Sequence, residues 1–232
     1  IGLLSSLHLN GRTEPMNIYG PDALQEILEV NFRHSQTQIR YPINFYSIDP
    51  SKSTRIFENY DVIVDTIPLE HRIPCTGFKF SGKKRLPKII KEKVEELDIP
   101  IENIPLIKKG FHFTDKSGII HPSEELTTEA EEPRSYAYCS DTICNWNYIE
   151  LIAGVSLLYH EATFMHDMLD RALETFHTTS IQAAEVAVRA KAERLLIGHF
   201  SARYRDLEPM LLEARSIFPN TSLAIEGTTF SL

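Results

Sequence analysis

The sequence predicts a layered α/β fold, in which helices pack on the outside of β-sheets. Short runs rich in β-branched and aromatic residues alternate along the chain with segments that are typical of helices. One run, at 195–197, is continuously apolar, as expected of a strand that is buried on both faces. The 232 residues, of which 42% are hydrophobic, fit one large domain or two small ones.

Each element is predicted from a local signal. The composition favours strands at 16–20, 43–49, 61–69, 77–80, 135–141, 155–161, 195–197 and 221–227. Segment 111–121 is typical of a hairpin that turns at 115–118. Helices are predicted at 21–35, 86–100, 180–192 and 206–218. The first of these helices begins with a proline, whose missing N–H costs nothing there. Prolines bound the second helix, and Ser180 is predicted to cap the third.

Composition and charge exclude several classes of protein. A formal net charge of −8 is not that of a protein that coats nucleic acid. No apolar run approaches the roughly 20 residues of a membrane helix. The odd number of cysteines (Cys75, Cys139 and Cys144) argues against a disulfide framework, and the lack of a CxxC pair excludes a local zinc ribbon. A reducing, cytoplasmic setting is therefore expected.

One segment runs against the acidic balance of the chain. Residues 79–93 carry seven basic residues and a single acid, Glu92. A charge run of this kind is either a solvated helix face or a surface that binds phosphates. Because the run is so one-sided in an acidic protein, we favour the phosphate-binding interpretation.

Histidine and carboxylate side chains recur at the ends of predicted strands or at the start of a helix. His71, Asp141, His160, His177 and His199 are all placed in this way. Strand ends are where layered α/β folds collect ligands and chemistry. A single histidine in such a position is more often an ordinary hydrogen-bonded residue, but recurrence at several strand ends favours a zinc site built from histidine and carboxylate.

Four strings resemble the motifs of the ribonuclease Z family, and they occur in the expected order. They are "AYCSDT" (137–142), "YHEATF" (159–164), "FHTTS" (176–180) and "LIGHFSARY" (196–204). Together with "EHRIPCTGF" (70–78), they resemble the family from one end of the chain to the other. The resemblance implies that residues 1–232 form a single domain, a metallo-β-lactamase αββα sandwich with two mixed β-sheets flanked by helices. It also implies a tRNA 3′-processing endoribonuclease that leaves a 3′-hydroxyl on the tRNA.

The resemblance also implies a role for each residue of the site. His71 matches a ligand of the first of two zinc ions per subunit, Asp141 matches the bridging ligand, and His199 matches a ligand of the second ion. Glu161 and His177 match a pair that assists proton transfer to the leaving group. The implied partners are precursor tRNA and a second copy of the chain in a homodimer.

The basic run lies where this family inserts an arm that grips tRNA. The resemblance therefore implies an inserted tRNA-binding arm at 79–110. The expected RNA-binding residues are Lys83, Lys84, Arg85, Lys88 and Lys91. Lysines in such an arm bind phosphates without reading bases.

One family motif, of the form HxHxDH, does not occur in the sequence. It would stand just before Ile1, so we expect residues to precede Ile1 and the fold to be N-terminally incomplete. Two alternatives stay open: another metallo-β-lactamase-fold phosphodiesterase or thioester hydrolase, or a catalytically inactive RNA-binding protein.

Three further residues near these motifs have predicted roles. Arg203 either contacts a phosphate or pairs with a core carboxylate, and we favour the second interpretation. Gly198 is expected to let the backbone come close to the metals. Cys139 is expected to serve only in packing.

Overall fold

A computed structural model describes residues 1–130 and 132–232 of the chain and shows a mixed α/β architecture. Its strands are β1 (Met16–Gly20), β2 (Ile43–Ser47), β3 (Arg55–Glu58), β4 (Val62–Leu69), β5 (Cys75–Gly82), β6 (Phe113–Thr114), β7 (Ile120–His121), β8 (Ser135–Cys139), β9 (Leu157–Glu161), β10 (Leu195–Gly198) and β11 (Thr221–Leu223). Its α-helices are α1 (Gly2–Leu9), α2 (Asp22–His34), α3 (Lys91–Glu96), α4 (Ile104–Ile107), α5 (Ser123–Leu126), α6 (Leu169–Glu174), α7 (Ser180–Arg189) and α8 (Glu208–Ile217). The predicted α/β class is confirmed.

A seven-stranded mixed sheet organises the molecule, with strand order β11-β10-β9-β8-β5-β4-β3. Strands β8 to β11 are parallel, whereas β5 runs antiparallel to both β8 and β4. The carboxyl ends of β4, β8, β9 and β10 consequently meet at one edge of the sheet. The described residues form two further sheets, the parallel pair β1–β2 and the antiparallel pair β6–β7, and neither is the second mixed sheet that was expected.

The core lies between this sheet and the alanine-rich helix α7. All four residues of β10 are buried, as its continuous apolar run predicted. Helix α7 buries Ala183, Ala184 and Ala187, whose small side chains let it approach the sheet closely. Its N-terminal cap is Thr179 in a capping box with Gln182, so the prediction of Ser180 as the cap is wrong by one residue.

The insertion between β5 and β8 has a small core of its own. Ile99, Ile107, Phe113 and Leu126 are buried against one another there. Residues 79–82 belong to β5, and Ile89 pairs with Thr127 in an isolated bridge, so the inserted unit extends beyond the expected limits of 79–110. The extra length is needed because the hairpin and α5 complete this core.

Several elements differ from their predictions for local reasons. The helix expected over 86–100 is only Lys91–Glu96, because Ile89 forms the bridge and Asp98 adopts a φ of +47°. Strand β3 was not predicted, nor were α1 and α6. The hairpin with its turn at 115–118 is present as β6 and β7. Among the described residues, no helix is both long and apolar enough to cross a bilayer.

Gly198 has a packing role that differs from the expected one. A Cβ atom built on Gly198 would lie 2.7 Å from Cε2 of Tyr159, which is stacked on Tyr138 with ring centroids 4.6 Å apart. Gly198 therefore makes room for an aromatic ring of the neighbouring strand. The expected approach of the backbone to bound metals stays a prediction.

We expect Gly198→Ala to lower the free energy of unfolding by about 1–3 kcal/mol, because overpacking must displace the Tyr159 ring. Urea denaturation measures this change. Gly2→Ala is the matched control, since its Cβ would meet nothing within 4 Å. Equal stabilities of the two variants would contradict the packing role.

Candidate active site

The residues that sequence analysis assigned to the site lie together at the carboxyl edge of the large sheet. His71 follows β4, Asp141 follows β8, Glu161 ends β9 and His199 follows β10. His177 lies just before α7, with its ring centroid 5.1 Å from that of His71 and 5.3 Å from that of His199. Oδ1 of Asp141 is 3.2 Å from Nε2 of His199.

These groups form two overlapping sets that could hold a metal ion. The first is His71, Asp141 and His177, and the second is Glu161, His177 and His199. In each set, one ligand atom from every residue lies within 4.8 Å of the others. Parallel topology explains the convergence, because it brings the ends of strands that are distant in sequence to one edge.

The backbone is strained at three points around the site. Asp141 and His199 have φ values of +54° and +59°, and Phe176, just before His177, has a φ of +59°. A left-handed backbone costs roughly 1–3 kcal/mol for residues other than glycine and persists only where surrounding contacts impose it. At these positions it turns the chain sharply out of a strand or loop and fixes the direction of the adjacent side chain.

Glu161 is the buried centre of the site. Its side chain is fully buried and its carboxylate accepts hydrogen bonds from four donor atoms. The donors are the backbone N–H groups of Thr142 (2.6 Å) and Thr178 (3.1 Å), the Thr163 hydroxyl (2.6 Å), and Nδ1 of His177, which lies 3.0 and 3.1 Å from the two oxygens. Burial raises the pKa of Glu161, but the bonds from His177 and Thr163 outweigh it, and the pKa lies below its ordinary value.

His177 has the complementary shift. The hydrogen bond to Glu161 raises its pKa above the ordinary value, against the opposing effect of burial, and the charges of Glu161 and Asp141 add to the rise. Glu161 therefore stabilises the protonated imidazole of His177. Its Nδ1 is occupied by the carboxylate, which leaves Nε2 as the nitrogen that can exchange a proton with a ligand.

Hydrogen bonds fix the tautomer of all three site histidines. Nδ1 of His71 lies 3.0 Å from the carbonyl oxygen of Phe176, which only accepts, so this nitrogen carries the proton. Nδ1 of His177 donates to the ionised Glu161. In His71 and in a neutral His177 the lone pair is consequently on Nε2, the arrangement that outer hydrogen bonds impose on metal-binding histidines. Protonation of His177 places a second N–H there.

Thr163 fixes the tautomer of His199, the third site histidine. Sequence analysis did not identify this threonine as a site residue. Its hydroxyl has one hydrogen, and the short bond to the charged Glu161 takes it, in preference to His199 O at 3.0 Å. The oxygen can then only accept from Nδ1 of His199, at 2.9 Å. Thr163 thereby links His199, at the end of β10, to the Glu161–His177 pair. The one sequence signal for this role is that Thr163 lies in the motif "HEATF" (160–164).

Arg203 has no core carboxylate partner within the described residues, so the structure does not support the interpretation that was favoured for it. Its guanidinium lies 5.0 Å from the centroid of the Phe164 ring, and its Nε donates to Ser201. Phe164 in turn contacts the ring of His177 edge-on, with centroids 6.2 Å apart. Arg203 is exposed beside the site, with its remaining donors available to a ligand.

Cys139 is fully buried in the core, as expected.

The basic run is less one-sided in the structure than in the sequence. Its first three predicted RNA-binding residues each pair with a carboxylate from another part of the chain: Lys83 with Glu58, Lys84 with Glu132, and Arg85 with Asp61. Lys91 begins α3 and forms no ion pair with the described residues. Pairs between exposed charges contribute little and break readily, so they lower the local charge without removing the surface.

We expect Thr163→Val to lower the affinity for a divalent metal ion by about 10- to 100-fold, because His199 loses the acceptor that fixes its tautomer. Competition with a chromogenic chelator measures this change. Thr163→Ser retains the hydroxyl and should bind the metal ion as the unchanged chain does. A serine variant as weak as the valine variant would show that the methyl group, rather than the hydroxyl, matters.

Comparisons with individual proteins show the family of this chain, although no protein-family model matches it. It is 45% identical over 231 residues to ribonuclease Z of Cytophaga hutchinsonii, covering 99% of this chain and 74% of that protein. Human tRNase Z, short form, superposes with a TM-score of 0.61 at 22% identity, covering 99% of this chain and 72% of the human chain. The metallo-β-lactamase fold protein YhfI of Bacillus subtilis gives a TM-score of 0.61 at 17% identity, covering 98% and 69% of the two chains. The fold is thus the metallo-β-lactamase fold, and the chain belongs to the ribonuclease Z family.

Proposed function

We propose that this protein is a zinc-dependent endoribonuclease that removes the 3′ trailer from precursor tRNA by hydrolysis of one phosphodiester bond. The observation that carries the proposal is the arrangement at the sheet edge. Three histidines with Nδ1 occupied lie beside the Asp141 carboxylate and next to a buried Glu161–His177 pair. Family membership supports the same activity.

The donor set fits zinc. Neutral imidazole nitrogens and a carboxylate are the ligands that catalytic zinc prefers. In this proposal His71, Asp141 and His199 would hold the zinc ions, two per subunit. Bound zinc supplies Lewis-acid polarisation and a water that is nucleophilic at neutral pH.

The chain's own residues supply the proton for the leaving group. As water attacks phosphorus and loses a proton to solvent, the bond from phosphorus to the 3′-oxygen of the tRNA breaks. Nε2 of protonated His177 donates its proton to that oxygen, while Glu161 stabilises the imidazolium through Nδ1. The products are a tRNA with a 3′-hydroxyl and a trailer with a 5′-phosphate. General acid catalysis of this kind contributes roughly 10²–10⁴-fold.

The insertion is proposed to bind the phosphate backbone of the precursor. Lys83, Lys84, Arg85, Lys88 and Lys91 are the proposed contacts, and Arg203 beside His177 is a further phosphate-binding group. In binding RNA, the three paired residues would exchange weak surface ion pairs for contacts with phosphate. We also propose that the protein is a homodimer in the cytoplasm, and sedimentation analysis tests its oligomeric state.

We expect the full-length protein with bound zinc to cut a precursor tRNA at the start of its 3′ trailer. Asp141→Asn and His199→Ala should each lower kcat by at least about 10³-fold, because each removes a zinc ligand. Gel analysis of end-labelled precursor measures cleavage, and elemental analysis measures zinc.

Asp167→Asn is the matched control, since Asp167 lies outside the site groups. Absence of cleavage by the zinc-loaded protein would refute the proposal. Hydrolysis of small phosphodiesters or thioesters without tRNA cleavage would instead support another metallo-β-lactamase-fold hydrolase. Binding of tRNA without zinc or cleavage would support an inactive RNA-binding protein.

We expect the double variant Lys88→Glu with Lys91→Glu to raise KM for precursor tRNA and to flatten its salt dependence. Each lost phosphate contact should reduce the slope of log affinity against log salt by about 0.7–0.9. Filter binding at several salt concentrations measures the slope. Lys52→Glu, at an exposed position outside the insertion, is the matched control. An unchanged slope in the double variant would exclude this surface from RNA binding.

A further inference from the structure

His160 is a site-motif histidine that does not face the site. It is completely buried and lies on β9, directly before Glu161. Its Nδ1 is 2.8 Å from the backbone carbonyl oxygen of Glu161, and its Nε2 is 2.7 Å from the hydroxyl oxygen of Tyr148. Tyr148 is itself only 1% exposed and belongs to the connection between β8 and β9. The proposed chemistry uses neither side chain.

The direction of each hydrogen bond follows from the acceptors. A carbonyl oxygen cannot donate, so Nδ1 of His160 carries the proton and donates to Glu161. Nε2 of the neutral ring is then an acceptor, and the Tyr148 hydroxyl donates to it. The result is a directional chain, from the Tyr148 hydroxyl through the His160 ring to the backbone of Glu161.

This chain acts on one particular peptide group. The peptide between Glu161 and Ala162 accepts from His160 through its carbonyl and donates, through the Ala162 N–H, to the carbonyl of Gly198 at 2.8 Å. Two hydrogen bonds thus fix the plane of this peptide group, one to the buried His160 ring and one to the backbone of β10. It carries the Cα atom of Glu161, so its orientation sets where the buried carboxylate meets His177.

We infer that Tyr148 and His160 are positioning residues for the Glu161–His177 pair, and this inference rests on the proposed function. They do not touch substrate. Their effect is on the orientation of the carboxylate that holds His177, so their loss should lower kcat and leave KM and zinc content unchanged. A role confined to stability would leave kcat of the folded protein unchanged.

The test compares three variants of the full-length, zinc-loaded protein with precursor tRNA, at a temperature where all are folded. Tyr148→Phe and His160→Leu should lower kcat by about 10- to 100-fold, because displaced catalytic groups lose rate steeply. His160→Asn retains an N–H near the position of Nδ1, so its loss of kcat should be clearly smaller than that of His160→Leu. The Nδ1–H proton signal of His177 should shift in Tyr148→Phe and His160→Leu.

Thr221→Val is the matched control: it removes a buried hydroxyl that donates to the carbonyl of Phe218, at the opposite end of the sheet. It should lower stability without changing kcat or the His177 signal. Unchanged kcat in Tyr148→Phe, or equal losses in His160→Asn and His160→Leu, would overturn the inference. If the unaltered protein cuts no precursor, the proposed function fails, whereas the His177 signal still reports on the positioning.

Discussion

The buried carboxylate of Glu161 holds the candidate site together. Its donors come from the end of β8, from the residues after β9 and from the loop before α7, and Thr163 extends the network to the end of β10. A buried charge is tolerated only when it is paired and fully hydrogen bonded, and loss of one partner costs about 3–5 kcal/mol. The same contacts that make Glu161 tolerable in the interior therefore fix the relative positions of the strand ends.

That constraint explains the local strain. Asp141 and His199 leave their strands in the left-handed conformation, and Phe176 does so before His177, although none of these residues is glycine. The strain is offset where it brings a donor or acceptor into the network. The carbonyl of Phe176 accepts a hydrogen bond from Nδ1 of His71. The turn at His199 places Nδ1 of that ring within hydrogen-bond distance of the Thr163 hydroxyl. The tautomers of the histidines and the backbone turns are thus two results of one hydrogen-bond network.

Sequence analysis could predict whatever depends on strand ends and short motifs. The apolar run 195–197 marked β10, and parallel topology then placed Asp141 and His199 at one edge. It could not predict contacts that depend on exact backbone angles or on distant segments. The role of Thr163 depends on the left-handed backbone conformation of His199. The charge of Lys83 is neutralised by Glu58, which lies on β3, a strand distant in sequence. The cap of α7 was misplaced because Thr179 and Ser180 are both good caps and only geometry separates them.

The topology also separates chemistry from the basic insertion. Strand β5 starts at Cys75, near the site edge, and ends at Gly82, so its seven residue steps place the root of the insertion about 23 Å away. Basic groups at the root of the insertion are therefore too far from the site to act on the reacting phosphate. In the proposed function they can only supply binding energy, which acts on KM more than on kcat. Only a substrate much larger than a dinucleotide could use both regions, and a folded RNA with a single-stranded 3′ end meets that requirement.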